Sequence, residues 1–179
     1  MGKKLLILGE GGHGQVVKEV AQAIRRNGKP VYNIIDFLDD NHSEAVGKIE
    51  KMEQFRSFYD EVFCGIGNNS VRKRLLEKAK EIHFTIATLI HPSAYVSSSA
   101  VIEEGTVIEP KAIVNANTIV KKGCIISVGA IVDHDVVIEE YVHVNAGAIC
   151  KAGSHIQKKR KLEAGEVVMG YPATVSEEK

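Results

Sequence analysis

The 179-residue chain lacks net charge and long apolar segments, and it contains only three cysteines. Its 23 basic and 23 acidic side chains balance, so the chain has no electrostatic reason to bind nucleic acid or an acidic membrane. The first apolar run, 5–8, has the length of a strand and is too short for a signal peptide or a membrane span. Cys64, Cys124 and Cys150 have no metal-ligand spacing, and an odd number argues against a complete set of disulfides. We therefore expect a reduced, cytoplasmic protein whose partners are small molecules or copies of itself.

A six-residue repeat fills the second half of the chain. Isoleucine or valine occupies eleven of twelve positions spaced by six, and the twelfth is cysteine. The positions are Ile90, Val96, Ile102, Ile108, Val114, Val120, Ile126, Val132, Ile138, Val144, Cys150 and Ile156. A period of six fits short strands joined by tight turns, because helices need apolar spacings of three and four. The sequence therefore predicts a β-solenoid with three strands in each 18-residue coil.

The residues before the repeat follow an α/β pattern. A strand at 3–8 leads through a glycine turn into apolar residues at helical spacing, and we expect Asn27-Gly28 to end this helix. Further strands are predicted at 31–37, 61–66 and 84–90, with a helix capped by Ser70 between the last two. The predicted domains are 1–88 and 89–179.

The glycine turn at 9–14 fits the G-x-G-x-x-G pattern between a strand and a helix. Taken alone, this pattern suggests a dinucleotide site. Only one βαβαβ half fits before the repeat, so a mononucleotide or nucleotide-sugar site is the better interpretation. Backbone N–H groups at the start of a helix favour a phosphate. A tight turn that binds nothing remains the alternative.

Several short segments indicate a family. They are 11–14, 37–40, 65–72, 90–94, 133–135, 143–148 and 170–173. In this order they resemble the two-domain bacterial sugar acetyltransferases, which comprise sialic-acid O-acetyltransferases and UDP-4-amino-sugar N-acetyltransferases. The resemblance covers nearly the whole chain and implies the handedness of the solenoid. The expected fold is an α/β N-terminal half-Rossmann-like domain followed by a left-handed parallel β-helix.

The resemblance also implies roles for individual residues. His134 would be the general base that takes a proton from a sugar amine or hydroxyl as it attacks acetyl-CoA, and Asp135 would orient it. His143 would lie near the acetyl group and the cofactor, and the backbone N–H of Ala152 would meet the thioester oxygen. The residues expected to hold the nucleotide part of the substrate are Gly11, Gly12, His13, Asp39, Asp40 and Gly67. Acetyl-CoA is the co-substrate, and no metal is implied.

Some of these residues have simpler interpretations. His134 could form only a local ion pair in an exposed turn, and Asp39-Asp40 could be merely a turn. His13 could do no more than complete the glycine turn. We find no further rung after Ile156, so the solenoid is expected to be short at its cofactor end. The basic run 158–161 would then either meet CoA phosphates or form a solvated turn.

The spacing of the histidines bears on assembly and on the choice of function. His134 and His143 are nine residues apart, half of a coil, so they should lie on different sides of one solenoid. A site that uses both would be completed between subunits, and the resemblance implies a homotrimer. The leading prediction is acetyl transfer to a nucleotide-linked or activated sugar. The alternatives are a non-catalytic nucleotide-sugar-binding or scaffolding protein and a zinc enzyme of the carbonic anhydrase type, whose three histidines would have to converge.

Overall fold

The computed structural model describes residues 2–170. Its N-terminal part runs in chain order through β1 (Lys3–Leu8), α1 (Gly12–Ala23), β2 (Arg25–Arg26), β3 (Lys29–Pro30), β4 (Tyr32–Leu38), a 3-10 helix (Ile49–Phe55), β5 (Glu61–Cys64) and α2 (Asn69–Glu81). The strands β4, β1 and β5 form a parallel sheet in that order. Leu5 and Ile7 pack with α1 on one face, and Leu6 and Leu8 pack with α2 on the other. The sheet is therefore one half of a doubly wound fold, as expected.

The rest of the described chain is a left-handed parallel β-helix of two-residue strands on three faces. The first face contains β6 (Leu89–Ile90), β9 (Val107–Ile108), β12 (Ile125–Ile126) and β15 (His143–Val144). The second face contains β7 (Tyr95–Val96), β10 (Ile113–Val114), β13 (Ile131–Val132), β16 (Ile149–Cys150) and β18 (Val167–Val168). The third face contains β8 (Val101–Ile102), β11 (Ile119–Val120), β14 (Val137–Ile138) and β17 (His155–Ile156). The six-residue repeat predicted this architecture correctly.

The second residue of each strand points into the solenoid, and the first points outward. The inward residues from Ile108 to Ile156 are fully buried. On the first face the outward residues Leu89, Val107 and Ile125 are also fully buried, because they pack in one cluster with α1. Tyr95 on the second face is 58% exposed, and Val101 on the third face is 53% exposed. The N-terminal domain therefore covers one of the three faces.

From Gly105 onward, each corner of the solenoid contains a residue with a positive φ angle, and these corner residues recur every six positions. Positive φ angles occur at Gly105, Lys111, Asn117, Gly123, Gly129, Asp135, Tyr141, Gly147, Gly153, Lys159 and Gly165. Glycine adopts this conformation without steric cost, whereas another residue loses about 1–2 kcal/mol. Each corner that keeps a side chain therefore does so at some expense of stability.

The prediction that the repeat ends at Ile156 is wrong. Leu162 is fully buried in the solenoid core, Val168 packs against that core, and Val167–Val168 pairs in parallel with β16. Lys161 forms a bridge to His143 on the first face. Both inward residues continue the six-residue spacing, but leucine and the intervening basic run hid the pattern. The solenoid therefore extends by two further rungs beyond Ile156.

Three boundaries in the N-terminal part also differ from the predictions. The helix α1 ends at Ala23, and Asn27-Gly28 forms the turn of the β2–β3 hairpin, with φ angles of 52° and 76°. Two successive positive φ angles are typical of a tight hairpin turn. Asn68 caps α2 through its side chain, because it accepts hydrogen bonds from Ser70 and Val71. The expected strand 84–90 is reduced to Leu89–Ile90 and an isolated bridge at Ile86.

Within residues 2–170 the helices are all too short or too polar to cross a membrane.

Candidate active site

His134 and Asp135 lie together at the corner between the second and third faces. Nδ1 of His134 is 2.7 Å from Oδ2 of Asp135. One coil earlier, Asn117 donates from Nδ2 to the other oxygen, Oδ1, of Asp135 at 3.1 Å. The hydrogen bond to Asp135 raises the pKa of His134, and the His134 side chain is 54% exposed. The corner thus presents an accessible imidazole whose Nδ1 is held by a carboxylate, which leaves Nε2 to accept a proton.

Ala152 occupies the same corner one coil later. The amide of the next residue, Gly153, donates to the carbonyl of His134 at 3.1 Å, so the two turns are stacked. Among residues 2–170, the backbone hydrogen bonds of this turn use the amides of Gly153 and Ser154 but not that of Ala152. A backbone N–H that has no partner among the described residues is suited to an oxygen on which negative charge develops. The structure therefore brings His134, Asp135 and Ala152 together in one corner.

His143 lies on the first face, away from the His134 corner. It continues the outward column of Leu89, Val107 and Ile125, and it is only 8% exposed. Its Nε2 is 3.1 Å from Ser127 Oγ, and its Nδ1 has no hydrogen-bond partner within residues 2–170. Burial, followed by the positive charges of Arg72 and Lys161, lowers the pKa of His143 to about 4. This imidazole is therefore neutral at pH 7 and lies at the junction of the two domains.

His13 joins His143 at the same junction. The two ring centroids are 6.3 Å apart, and His13 Nδ1 lies 3.5 Å from Glu109 Oε1. Burial and the neighbouring His143 lower the pKa of His13 to about 4, and burial raises that of Glu109. The Nε2 atom of His13 has no partner among the described residues. Two neutral imidazoles with spare hydrogen-bonding capacity thus face each other between the domains, which is unusual for groups that serve packing alone.

The glycines of the turn after β1 divide into two kinds. A Cβ atom at Gly14 would lie 2.1 Å from the Gly9 carbonyl oxygen, so this glycine is required by close backbone packing. At Gly11, Gly12 and Gly67 a Cβ atom would meet nothing within 4 Å. Gly12 begins α1, where unpaired N–H groups favour an anion. The open positions therefore form a cradle at the carboxyl ends of the parallel strands.

Asp39 and Asp40 help to build that edge. Asp39 Oδ2 accepts a hydrogen bond from the Glu10 amide at 2.7 Å, which ties the end of β4 to the glycine turn. Burial alone would raise the pKa of Asp39, but hydrogen bonds from Glu10, His42 and Asn41 lower it to about 2. Asp40 Oδ1 accepts from the Ile49 amide at 3.1 Å. Both carboxylates thus already have hydrogen-bond partners in the protein, Asp39 in the glycine turn and in its own loop, and Asp40 at the start of the 3-10 helix.

The sequence did not reveal the roles of three residues at the junction. Glu109 also accepts a hydrogen bond from the Val128 amide at 2.9 Å, and the Ser127 hydroxyl forms a hydrogen bond with the His143 ring. Arg72 is fully buried between the domains. The sequence offered one signal for Arg72, its place as a polar residue within the segment 65–72. No sequence pattern, however, predicts which face of the solenoid the N-terminal domain covers.

Comparisons with known proteins agree with this geometry. Residues 4–79 match the family model of the PglD N-terminal domain. The UDP-N-acetylbacillosamine N-acetyltransferase of Bacillus subtilis (strain 168) is 37% identical over 113 residues, which are 58% of this chain and 50% of that protein. The aligned part thus spans half the length of this curated relative.

Solved structures match over a longer stretch. The acetyltransferase domain of PglB from Neisseria gonorrhoeae FA1090 has a TM-score of 0.89 and 32% identity over 94% of this chain and 83% of that domain. The same domain in complex with acetyl coenzyme A has a TM-score of 0.87, with 32% identity over 95% of this chain and 83% of that one. PerB from Caulobacter crescentus, in complex with CoA and GDP-perosamine, has a TM-score of 0.77 and 28% identity over 93% of this chain and 89% of that one. The segment 170–173 lies outside the described residues beyond Gly170, but the other segments and these matches show that the chain belongs to the hexapeptide-repeat bacterial sugar acetyltransferases.

Proposed function

We propose that this protein transfers the acetyl group of acetyl-CoA to the amine of a nucleotide-linked amino sugar. The observation that carries the proposal is the His134–Asp135 pair in the same corner as Ala152, whose amide has no backbone hydrogen-bond partner within residues 2–170. An amine is favoured over a hydroxyl because the Bacillus relative is an N-acetyltransferase and a structural relative was solved with GDP-perosamine.

The chemistry assigned to the corner is simple. Acetyl-CoA supplies the acetyl group as a reactive thioester. His134 takes the proton that the sugar nitrogen loses as its bond to the acetyl carbon forms and the carbon–sulfur bond breaks. Asp135 holds Nδ1 and stabilises the imidazolium, while the Ala152 amide donates to the carbonyl oxygen as its charge develops. The proton can then pass from His134 to the departing thiolate.

The nucleotide part is assigned to the N-terminal domain. Gly11, Gly12 and Gly67 leave room for a close approach of phosphate to the backbone, and His13 offers a neutral ring nitrogen. Asp39 fixes the turn through the Glu10 amide, so its role is to shape the cradle. Asp40 lies at the same edge and is proposed to act in the same way.

The site is proposed to be completed between subunits of a homotrimer. His134 is at the corner opposite the first face, whereas His143 and the glycine cradle are at the first face, so one chain would not supply both to one substrate. The outward columns of the second and third faces expose apolar residues, including Tyr95, Val101 and Ile119. Association of these faces would cover them and bring the His134 corner of one subunit to the junction of the next.

Thiol release tests the function directly. Purified protein is incubated with acetyl-CoA and a panel of UDP-, GDP- and CMP-linked 4-amino sugars, and free CoA thiol is measured with the product mass. His134→Ala should fold normally but lose at least ~10²-fold in turnover, the scale expected for a general base. His83→Asn, at an exposed histidine whose positive φ asparagine tolerates, should keep full turnover. Near-normal turnover by His134→Ala would remove it as the base, and nucleotide binding without thiol release from any sugar would favour the non-catalytic alternative.

A further inference from the structure

The fully buried Arg72 is an unusual charge in this protein. Its guanidinium has no carboxylate within salt-bridge distance among residues 2–170. Its hydrogen-bond partners are instead five carbonyl oxygens and one side-chain amide oxygen. Burial of an unpaired charge is costly and lowers the pKa of Arg72. An apolar side chain could fill the same space without that cost, so the charge calls for an explanation.

The partners of Arg72 belong to both domains. On the N-terminal side, Nη1 donates to the carbonyls of Ile66 and Gly67 at 3.2 and 3.1 Å. On the solenoid side, Nε donates to the Gly123 carbonyl at 2.7 Å, and Nη2 lies 3.3 Å from the Tyr141 carbonyl. The planar guanidinium of Arg72 therefore connects the loop that carries Gly67 to the solenoid corner at Tyr141, which lies two residues before His143.

Asn69 extends this connection by one coil. Its Oδ1 accepts from Arg72 Nη2 at 2.7 Å, and its Nδ2 donates to the Lys159 carbonyl at 2.8 Å. Gly123, Tyr141 and Lys159 are each eighteen residues apart, so they are the same corner on three successive coils. The two side chains thus run along one edge of the solenoid and bond to its stacked corner carbonyls.

Apolar packing alone does not fix the position of the N-terminal domain along the solenoid axis. The column under α1 repeats Leu89, Val107 and Ile125, and hydrophobic contact is non-directional. Hydrogen bonds to carbonyl oxygens are directional and weaken when the geometry departs from the ideal. The contacts of Arg72 and Asn69 therefore limit sliding and rocking of the domain in a way that the apolar column does not.

We propose that Arg72, assisted by Asn69, is a positioning residue that fixes the Gly67 loop and the His13 turn opposite His143. This inference rests on the proposed function, in which these groups hold the nucleotide sugar. A misplacement of about 1 Å, caused by a change far from the reacting atoms, can lower a reaction rate by about 10²-fold, because the bound geometry is no longer productive. Arg72 would then act on nucleotide binding and leave the solenoid corner at Ala152 unchanged.

The test compares Arg72→Lys and Arg72→Met with Arg74→Met, an exposed arginine on the same helix. Lysine keeps the charge, but its single nitrogen does not reproduce the fork that spans both domains. Binding of UDP, GDP and CoA is measured by calorimetry on protein shown to be folded by circular dichroism. We expect Arg72→Lys to bind the preferred nucleotide about 10- to 100-fold more weakly and CoA with wild-type affinity. Asn69→Ala should also weaken nucleotide binding, but by a smaller factor. Arg74→Met should bind UDP, GDP and CoA with wild-type affinity.

The outcomes separate the possible failures. A merely structural Arg72 would lower the melting temperature of Arg72→Lys and leave its nucleotide affinity unchanged, and that result would overturn the inference alone. Equal weakening of nucleotide and CoA binding would also overturn it, because it would indicate a general loss of structure. If the wild-type protein binds neither UDP nor GDP, this inference is overturned, whereas the proposed function is judged separately by thiol release from the full panel of sugars, which includes CMP-linked ones.

Discussion

Replacement of His143 by leucine should make the protein more resistant to acid. His143 is buried with a pKa of about 4, against an ordinary value of 6.5 in the unfolded chain. At a pH between these two values, the unfolded state therefore binds a proton at this position that the folded state does not bind. The free energy of unfolding consequently falls as the pH drops below 6.5. For a single such group, the loss in the free energy of unfolding between pH 7.5 and pH 5 is about 2 kcal/mol. His143→Leu abolishes this term and continues the apolar column of Leu89, Val107 and Ile125.

The expected effect at neutral pH is small. Ser127 loses the partner 3.1 Å from its hydroxyl, which costs about 1 kcal/mol, and the added apolar burial offsets that cost. The neighbouring charged and titratable groups Arg72, Lys161, His13 and Glu109 remain in the variant. His13 loses the part of its pKa shift that comes from His143 but keeps the larger part that comes from burial, so we expect the pH dependence to be reduced by at least roughly half and not abolished.

Urea unfolding at fixed protein concentration, at pH 7.5, 6.5, 5.5 and 5.0, measures this difference. Comparison of the variant with the wild type at each pH cancels the contribution of carboxylates common to both. His134→Ala is the matched control, because His134 is exposed and has a raised pKa, so its removal leaves the acid-induced loss in place. Parallel pH profiles for the wild type and His143→Leu would refute the claim that His143 is buried and neutral.

Three further predictions concern the corner, the cradle and the assembly. Asp135→Asn removes the hydrogen bond that raises the pKa of His134, so the acidic limb of the kcat/KM profile should move to lower pH and the plateau should fall; an unmoved limb would separate Asp135 from the base. Gly12→Val, where a Cβ atom meets nothing within 4 Å, should leave the melting temperature unchanged and weaken nucleotide binding by calorimetry, whereas Gly14→Ala should chiefly lower the melting temperature. Wild-type nucleotide affinity in Gly12→Val would mean that the turn is only structural. Sedimentation equilibrium should give a trimer at micromolar concentration, and a fully active monomer would contradict both the trimer and the shared site.

The predictable part of this structure is the part governed by local repetition. The spacing of isoleucine and valine predicted which residues point into the solenoid. His134 and Ala152 were indicated by the family resemblance, and the structure places them in one corner of successive coils. The sequence did not show which face the N-terminal domain covers, because outward aliphatic residues occur on all three faces. The burial of His143 and the contacts of Arg72 depend on that packing, so neither could be predicted from periodicity. Leu162 was missed for a simpler reason, since the pattern was defined by isoleucine and valine.

The eighteen-residue coil also has a consequence for insertions. An insertion of six residues between Ile126 and Val132 would preserve the inward aliphatic at every rung, so the solenoid itself could still form. Everything after the insertion would rotate by one face, which would move His143 from the domain junction to an exposed face and turn His134 to a different corner. An insertion of eighteen residues would restore the angle but raise both residues by one coil relative to α1 and Arg72. Stability of the solenoid therefore depends on length in steps of six, while the arrangement of His13, Arg72 and His143 requires one angle and one height together.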